Sequence, residues 1–201
     1  IYICNSLKDS STDRKNKLYV NQKNNTFTEM ADFYGIADSG YSSQAIFFDI
    51  ENDGDLDLYV ANQPGNISNI QIELNQGKLG HSGELYENRN QKFVNITKES
   101  KLINYGFSLS ANVADINNDG YQDIYISNDY NKPDELFINN GDKTFTNTIN
   151  ISMRHISQFS MGTDIADINN DGWLDIFTAD MVSEDRYRSK ANMAGMNISD
   201  F

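Results

Sequence analysis

Four residue types are rare in the 201-residue sequence, which has one cysteine, two prolines, two histidines and one tryptophan. The single cysteine, Cys4, excludes an intrachain disulfide. No run approaches the roughly 18 consecutive apolar residues of a membrane span. Basic residues are scarce too, because 16 Lys and Arg face 29 Asp and Glu, a net charge of −13. Nucleic acids and anionic surfaces repel such a chain, so we predict no nucleic-acid partner and no membrane span in this segment.

The acidic residues are concentrated in a motif that occurs three times. Residues 49–57, 115–123 and 167–175 all have the form D-I-[EN]-N-D-G-x-x-D. Eleven of the 29 acidic residues lie in these three segments, which is too concentrated for an ordinary solvated surface. A repeated motif of this kind indicates a repeat architecture.

A second element recurs between the acidic segments. It pairs a Leu-aromatic-x-Asn run with a later Phe, at residues 18–21, 85–88 and 136–139. Its Leu precedes the next acidic segment by 31, 30 and 31 residues, so this half of the repeat has a fixed length. The other half spans 36 residues in one repeat and 21 in the next, which indicates an insertion at about residues 65–83.

Short β-branched and aromatic runs flank each acidic segment and predict a β-hairpin whose turn is the acidic loop. The Leu-aromatic-x-Asn run and the following Phe predict a second hairpin. Four antiparallel strands per repeat make a propeller blade. We therefore predict an all-β fold, a β-propeller fragment of about three four-stranded antiparallel blades with the acidic loop between the first two strands of each. The expected units of this single domain, residues 1–201, are 1–35 (partial), 36–100, 101–150 and 151–201 (partial).

The ends of the chain follow the same register. Residues 1–5 align with 58–62 and 124–128, so the sequence starts where a fourth acidic loop would have ended. Residues 184–194 are charged and predict one short helix, with no further Leu-aromatic-x-Asn run after it. Since three loops cannot close a ring, we expect a fragment with further blades on both sides.

The acidic loops have the oxygen donors that calcium prefers. Ca²⁺ takes six to eight oxygen ligands, which side chains at positions 1, 3, 5 and 9 and the carbonyl at position 7 can supply. An EF-hand is excluded because position 12 is Val60, Ile126 or Thr178. Magnesium suits such loops less well, and no His or Cys lies in them for zinc. The predicted ligands of about three Ca²⁺ ions are Asp49, Glu51, Asp53, Asp55 and Asp57; Asp115, Asn117, Asp119, Tyr121 and Asp123; and Asp167, Asn169, Asp171, Trp173 and Asp175.

Turn chemistry is the alternative explanation of these loops, because Asp, Asn and Gly favour turns without any metal. Three in-phase copies that all keep the ninth-position Asp argue against it. Three carboxylates within a few ångströms of one another also repel strongly unless a cation neutralises them.

These loops, each followed by an aliphatic-aromatic strand, resemble the calcium-binding FG-GAP or VCBS-type repeats of α-integrin propellers and of many bacterial surface proteins. Residues 136–146, 161–181 and 184–190 resemble more closely the secreted bacterial VCBS proteins that end in an ASPIC/UnbV domain, relatives of the cartilage acidic protein. The sequence departs from that pattern at Glu51, where Asp or Asn is usual, and in the insertion.

The resemblance implies a calcium-binding module of an exported or cell-surface protein that mediates adhesion to a protein or glycan partner. The connections that vary between repeats all lie on the face opposite the loops, so we expect the partner there. A polysaccharide lyase-like propeller and a structural subunit of a surface assembly are the alternatives. We predict no enzyme and no catalytic residue, because His81 and His155 lie in different repeats and no hydrolase or nucleotide motif occurs.

The loops also bear on the compartment. They lack a bidentate Glu and are typical of extracellular calcium modules. We therefore expect export, to a Gram-negative outer surface or periplasm.

Overall fold

The computed structural model describes residues 1–6, 10–64, 83–129, 132–157 and 159–181. The predicted helix at 184–194 and all but the last residue of the predicted insertion lie outside these residues. The described chain forms four antiparallel sheets of three, four, four and two strands, in chain order. The all-β prediction is therefore confirmed.

Thirteen strands and two short helices make up the described fold. The first sheet contains β1 (Tyr2–Ile3), β2 (Lys17–Asn21) and β3 (Phe27–Glu29). The second contains β4 (Tyr41–Phe48), β5 (Asp57–Gln63), β6 (Gly83–Asn88) and β7 (Phe93–Asn95). The third contains β8 (Phe107–Ala114), β9 (Asp123–Asp129), β10 (Glu135–Asn139) and β11 (Phe145–Asn147). The fourth contains β12 (Ser160–Ala166) and β13 (Asp175–Asp180), and the helices are α1 (Ala31–Tyr34) and α2 (Ile149–Ser152).

The complete sheets repeat one another residue by residue. In each, strands pair in the order of the chain, as in an up-and-down blade. The acidic loops close hairpins of the same register, with terminal pairs Phe48 to Asp57, Ala114 to Asp123 and Ala166 to Asp175. A register shift recurs at the other end of each hairpin, just after Ser42, Ser108 and Ser160. This is the architecture of a β-propeller fragment.

Successive sheets pack face to face around their first strands. The Gln44 side chain of β4 both donates to and accepts from the main chain of Ala111 in β8, at 3.1 and 3.0 Å. The Asn112 amide of β8 then reaches the Thr163 carbonyl of β12 at 2.6 Å. Between the second and third sheets lies a core of fully or nearly fully buried side chains: Phe48, Ile50, Tyr59, Ala61, Leu85, Ile96, Leu102, Ala111, Ile124, Ile126, Phe137 and Phe145.

The first strands of the second and third sheets start at an aromatic residue. Tyr41 and Phe107, each eight positions before the first Asp of a loop, are the first residues of β4 and β8. Strand pairing extends this far because the hairpin continues past the register shift. Among the described residues, no helix has the length and apolar character needed to cross a membrane.

Candidate metal-binding loops

We call residues 49–57, 115–123 and 167–175 the first, second and third loops. Their backbones take the same course. Position 4 is an Asn in the left-handed region, with φ of 60°, 58° and 60°, and position 6 is a Gly with φ of 90°, 92° and 90°. Asn tolerates the left-handed region and Gly enters it freely, so both residue types are explained by the turn itself. The loops differ only in side chains.

The first Asp of each loop organises the turn. In the second loop, the Asp115 carboxylate accepts hydrogen bonds from the amides of Asp119 and Gly120, at 3.0 and 2.8 Å. The first and third loops have the same two bonds, with lengths of 3.1 and 2.9 Å in each. The Asp at position 5 in turn accepts from the amide of position 7, at 3.0, 2.9 and 2.9 Å. The predicted ligands at positions 1, 5 and 7 thus lie in one tight turn.

The ninth-position Asp joins the loop to the third strand of its sheet. Asp123 is fully buried, and its two oxygens accept from the amides of Ile116 and Asn139, at 2.9 and 2.8 Å. Asp57 makes the same pair of bonds in the second sheet, at 2.9 and 2.7 Å. Asp175 accepts from Ile168 at 3.1 Å. The sequence does not indicate this hydrogen bond to the third strand, although the Asn whose main-chain amide donates it recurs in every Leu-aromatic-x-Asn run.

Position 3 divides the loops into two kinds. Asn117 and Asn169 remain local, because each donates to the carboxylate of the Asp two residues later, at 2.7 and 3.0 Å. Glu51 instead forms an ion pair with Lys143, at 2.5 Å, and Lys143 also binds Glu87 at 2.6 Å. Lys143 lies in the turn between β10 and β11, so the ion pair crosses from the second sheet to the third. The other carboxylate oxygen of Glu51 is buried without a hydrogen-bond partner among the described residues.

Three carboxyl groups of the first and second loops have a raised pKa. Burial raises the pKa of Asp57 to about 6, although the amides of Ile50 and Asn88 oppose the shift. Burial also raises the pKa of Asp123. The pKa of Asp55 is raised by burial and then by the charges of Asp53 and Asp49. Each raised pKa means that the surroundings disfavour the ionised form of the carboxyl group. A bound cation would favour the ionised form again.

The donor chemistry fits a hard cation. All side-chain donors are oxygens, and a carboxylate oxygen that accepts one amide keeps a second lone pair. The Glu51 oxygen without a hydrogen-bond partner is a further potential metal ligand in the first loop. Within the described ranges, no three His, Cys, Asp or Glu side chains converge as a cluster able to hold a metal ion. Binding therefore has to draw on the Asn oxygens at position 3 and the carbonyl at position 7 as well as on carboxylates.

The end of the sheets opposite the loops is built from buried polar networks. Asp134 accepts from the Tyr125 hydroxyl at 2.7 Å, from the Asn128 amide at 2.9 Å and from the Ser160 hydroxyl at 2.6 Å. In the second sheet Asp38 accepts from the Tyr86 hydroxyl, at 2.9 Å. These bonds join the connectors to the strands and give the variable connections a rigid base.

Four-stranded antiparallel sheets whose first hairpin closes on an acidic turn define a propeller repeat protein. The sequence pattern of the FG-GAP-like repeat matches residues 3–60 and 115–178, more than half of the chain and including all three loops. The chain belongs to the FG-GAP-like repeat family. Comparison with individually curated proteins gives no match.

Proposed function

We propose that the three loops bind Ca²⁺ and that the chain is the calcium-stabilised propeller module of an exported or cell-surface protein. The observation that carries the proposal is the threefold repetition of one loop geometry: the same left-handed Asn and Gly, the same Asp-to-amide bonds and the same ninth-position Asp. Turn chemistry alone explains the backbone, but it gives no reason for the carboxylates with raised pKa values at positions 7 and 9 of the first loop. A bound divalent cation would supply the positive charge that these two groups lack.

In this proposal each loop holds one ion through positions 1, 3, 5 and 9 and the carbonyl of position 7. The ion supplies positive charge, and the chain uses it to fix the first hairpin of each sheet. Because Asp57 and Asp123 also bond the third strand, the ion stabilises three strands of a sheet rather than two. Its role is structural, and we assign the chain no catalytic residue.

Calorimetric titration of calcium into the chelator-treated 201-residue chain tests the proposal. We expect about three sites per chain and much weaker binding of magnesium, which prefers octahedral, partly hydrated sites. Asp119→Ala removes an exposed carboxylate of the second loop and should leave two sites. Asp142→Ala, which removes an exposed acid of the turn between β10 and β11, is the matched control and should keep all three. No saturable calcium binding, or equal losses in both variants, would refute the proposal.

We further propose that a protein or glycan partner binds the face opposite the loops. The support is the arrangement of that end, where buried networks around Asp38 and Asp134 hold connections that differ in length between sheets. Rigid scaffolds with variable loops commonly bind there. The extracellular location belongs to the same proposal, since loops of this type suit calcium concentrations of about 10⁻⁴ to 10⁻³ M.

The finer family assignment, to secreted bacterial VCBS proteins with an ASPIC/UnbV domain, is also a proposal and rests on the sequence of residues 136–146, 161–181 and 184–190.

A glycan panel distinguishes the functional classes. Saturable binding without cleavage supports a binding module, and released products would favour a polysaccharide lyase-like enzyme. The absence of both binding and cleavage would favour a structural subunit.

A further inference from the structure

The first and second loops contact each other across the seam between the second and third sheets. The Asp49 amide donates to the side-chain oxygen of Gln122 at 3.2 Å. In the opposite direction, the Asn52 side chain donates to the carbonyl of Gly120 at 2.8 Å. Two loops that are more than 60 residues apart in sequence therefore share two hydrogen bonds.

A third group closes the same seam. The Asn139 side-chain amide, on β10, donates to the Ile50 carbonyl of the first loop at 2.8 Å and to the Gln122 carbonyl of the second at 3.3 Å. The main chain of Asn139 is held by Asp123 at 2.8 Å. Side chains that are not among the proposed ligands thus hold the first and second loops in fixed positions relative to each other.

The atoms shared by the loops lie next to the proposed ligands. Gln122 stands between Tyr121, whose carbonyl is a proposed ligand, and Asp123. Asn52 precedes Asp53, and Asp49 is itself the first ligand of its loop. Fixing either loop therefore fixes hydrogen-bond partners of the other.

The second and third loops lack this connection. Leu174 occupies the position that corresponds to Gln122, and its side chain cannot accept a hydrogen bond. In the part of the chain that the structure describes, no hydrogen bond joins the second loop to the third. Asn118, the counterpart of Asn52, makes no side-chain bond to Gly172. The contacts of the neighbouring sheets are carried by strands, such as the bond from Asn112 to Thr163.

We propose that Gln122 and Asn52 are positioning residues that make ion binding in the first two loops mutually dependent, whereas the third loop binds independently. An ion that orders one loop also orders part of the neighbouring loop. The neighbouring loop then loses less conformational entropy when it binds its own ion, so the second ion binds more tightly. The coupling is reciprocal, because linkage requires each ion to raise the affinity of the other by the same factor. This inference rests on the proposed calcium function.

Terbium(III) is the probe, because it is a hard cation with calcium-like ligands and its luminescence is sensitised by a neighbouring aromatic ring. Position 7 is Tyr121 in the second loop, Trp173 in the third and Asp55 in the first. Trp173 is the only tryptophan, so selective excitation reads the third loop alone. The signal that Tyr121→Leu abolishes reads the second loop. The first loop, residues 49–57, contains no aromatic residue of its own.

The first loop is disabled with Asp53→Ala, and terbium affinity is read at the other two. We expect the affinity of the second loop to fall roughly fivefold, a typical coupling between sites, and that of the third loop to stay unchanged. In a chain with Asn52→Gly and Gln122→Leu, Asp53→Ala should have a clearly smaller effect on the second loop, because only the Asn139 bridge remains. Gly at 52 retains the left-handed backbone, and Leu at 122 reproduces the third loop, so both changes leave the proposed ligands intact. Gln122→Leu alone, which keeps the bond from Asn52, should reduce the effect in part and serves if the double variant folds poorly.

Asn118→Gly is the matched control, because it removes the equivalent side chain where no inter-loop bond exists. The effect of Asp53→Ala on the second loop should persist in this background. Equal second-loop affinities with and without Asp53→Ala, in a chain whose second and third loops both bind terbium, would overturn the coupling and leave the calcium proposal standing. Absence of saturable terbium and calcium binding in every loop would refute both.

Discussion

At the scale of single residues, the ninth-position Asp has two roles, and the sequence indicates only one of them. The sequence predicts Asp123 as a calcium ligand, and the structure also makes it the acceptor for two main-chain amides in a fully buried position. Asn117, at position 3, is exposed and bonds only within its own loop. The two residues should therefore respond differently to substitution even before calcium is added.

We expect Asp123→Ala to lower the free energy of unfolding by about 2 to 4 kcal/mol in chelator, because it leaves the main-chain amides of Ile116 and Asn139 unpaired. Asn117→Ala should cost less than about 0.5 kcal/mol under the same conditions. With calcium, Asp123→Ala should lose more affinity than Asn117→Ala, and Asp115→Ala should resemble Asp123→Ala. Denaturant melts and calorimetry on the three variants provide the measurement. Equal losses at positions 3 and 9 would show that the loop acts as a diffuse acidic cluster.

Two equivalent tyrosines offer a second comparison at this scale. Tyr125 donates its hydroxyl to Asp134 at 2.7 Å. Tyr59, its counterpart in the second sheet, is 1% exposed, and its hydroxyl has no partner among the described residues. Gly83 occupies the position of Asp134, and a Cβ there would lie 2.2 Å from the Tyr59 hydroxyl. Position 83 thus provides neither the acceptor that Asp134 provides in the third sheet nor the space for one.

Tyr59→Phe should be neutral or stabilise the chain by up to about 1 kcal/mol, because it removes a buried hydroxyl that forms no hydrogen bond. Tyr125→Phe removes a hydrogen bond to a carboxylate and should destabilise by about 1.5 to 3 kcal/mol. The same denaturant melt applied to both variants gives the difference directly. Similar losses in the two would mean that a bound water satisfies the Tyr59 hydroxyl.

At the scale of secondary-structure elements, the turn between β10 and β11 anchors one sheet to the next. Lys143, in that turn, is paired with Glu51 and Glu87, whose side chains are 16% and 6% exposed. Two carboxylates that are largely withdrawn from water depend on this ammonium group. The Arg89 guanidinium also contacts Glu87, so Glu51 relies most on Lys143.

Lys143→Met should therefore destabilise the chain by about 1 to 3 kcal/mol in chelator, the cost of leaving partly buried carboxylates without their partner. The loss should shrink in calcium, because an ion in the first loop supplies the missing positive charge. Unfolding curves with and without calcium test this expectation. Lys101→Met, at an exposed position outside the ion-pair network, is the control. An identical loss in both solutions would show that Glu51 is not a ligand.

The elements themselves could be predicted from sequence because their signals are local and repeated. The strands follow from β-branched and aromatic runs, and the turns follow from Asp, Asn and Gly at fixed positions. The contacts between sheets could not be predicted. Gln122 meets Asp49 across 73 residues of sequence, and Glu51 carries nothing that indicates its pairing with Lys143. Such contacts depend on how the sheets pack, which a local pattern does not encode.

At the scale of the whole molecule, calcium should stabilise the fold as a ligand that binds only the native state. Each site contributes about 2.7 kcal/mol when the ion is in hundredfold excess over its Kd. Chelation should accordingly lower the melting temperature markedly, and re-addition of calcium, but not of magnesium at the same concentration, should restore it. Calorimetric scans provide the measurement. Unchanged melting in chelator, with loss of partner binding, would assign the ion to the partner site instead of the fold.

The faces of successive sheets define how disturbances spread. Ile50 and Tyr59 are 0% and 1% exposed because the third sheet covers them, whereas their counterparts in the fourth sheet, Ile168 and Phe177, are 65% and 61% exposed. In statistical-mechanical terms the described sheets are a one-dimensional lattice, in which each unit is held chiefly by its nearest neighbours. The loss of one unit therefore weakens the units on either side of it first, and reaches more distant units only through them.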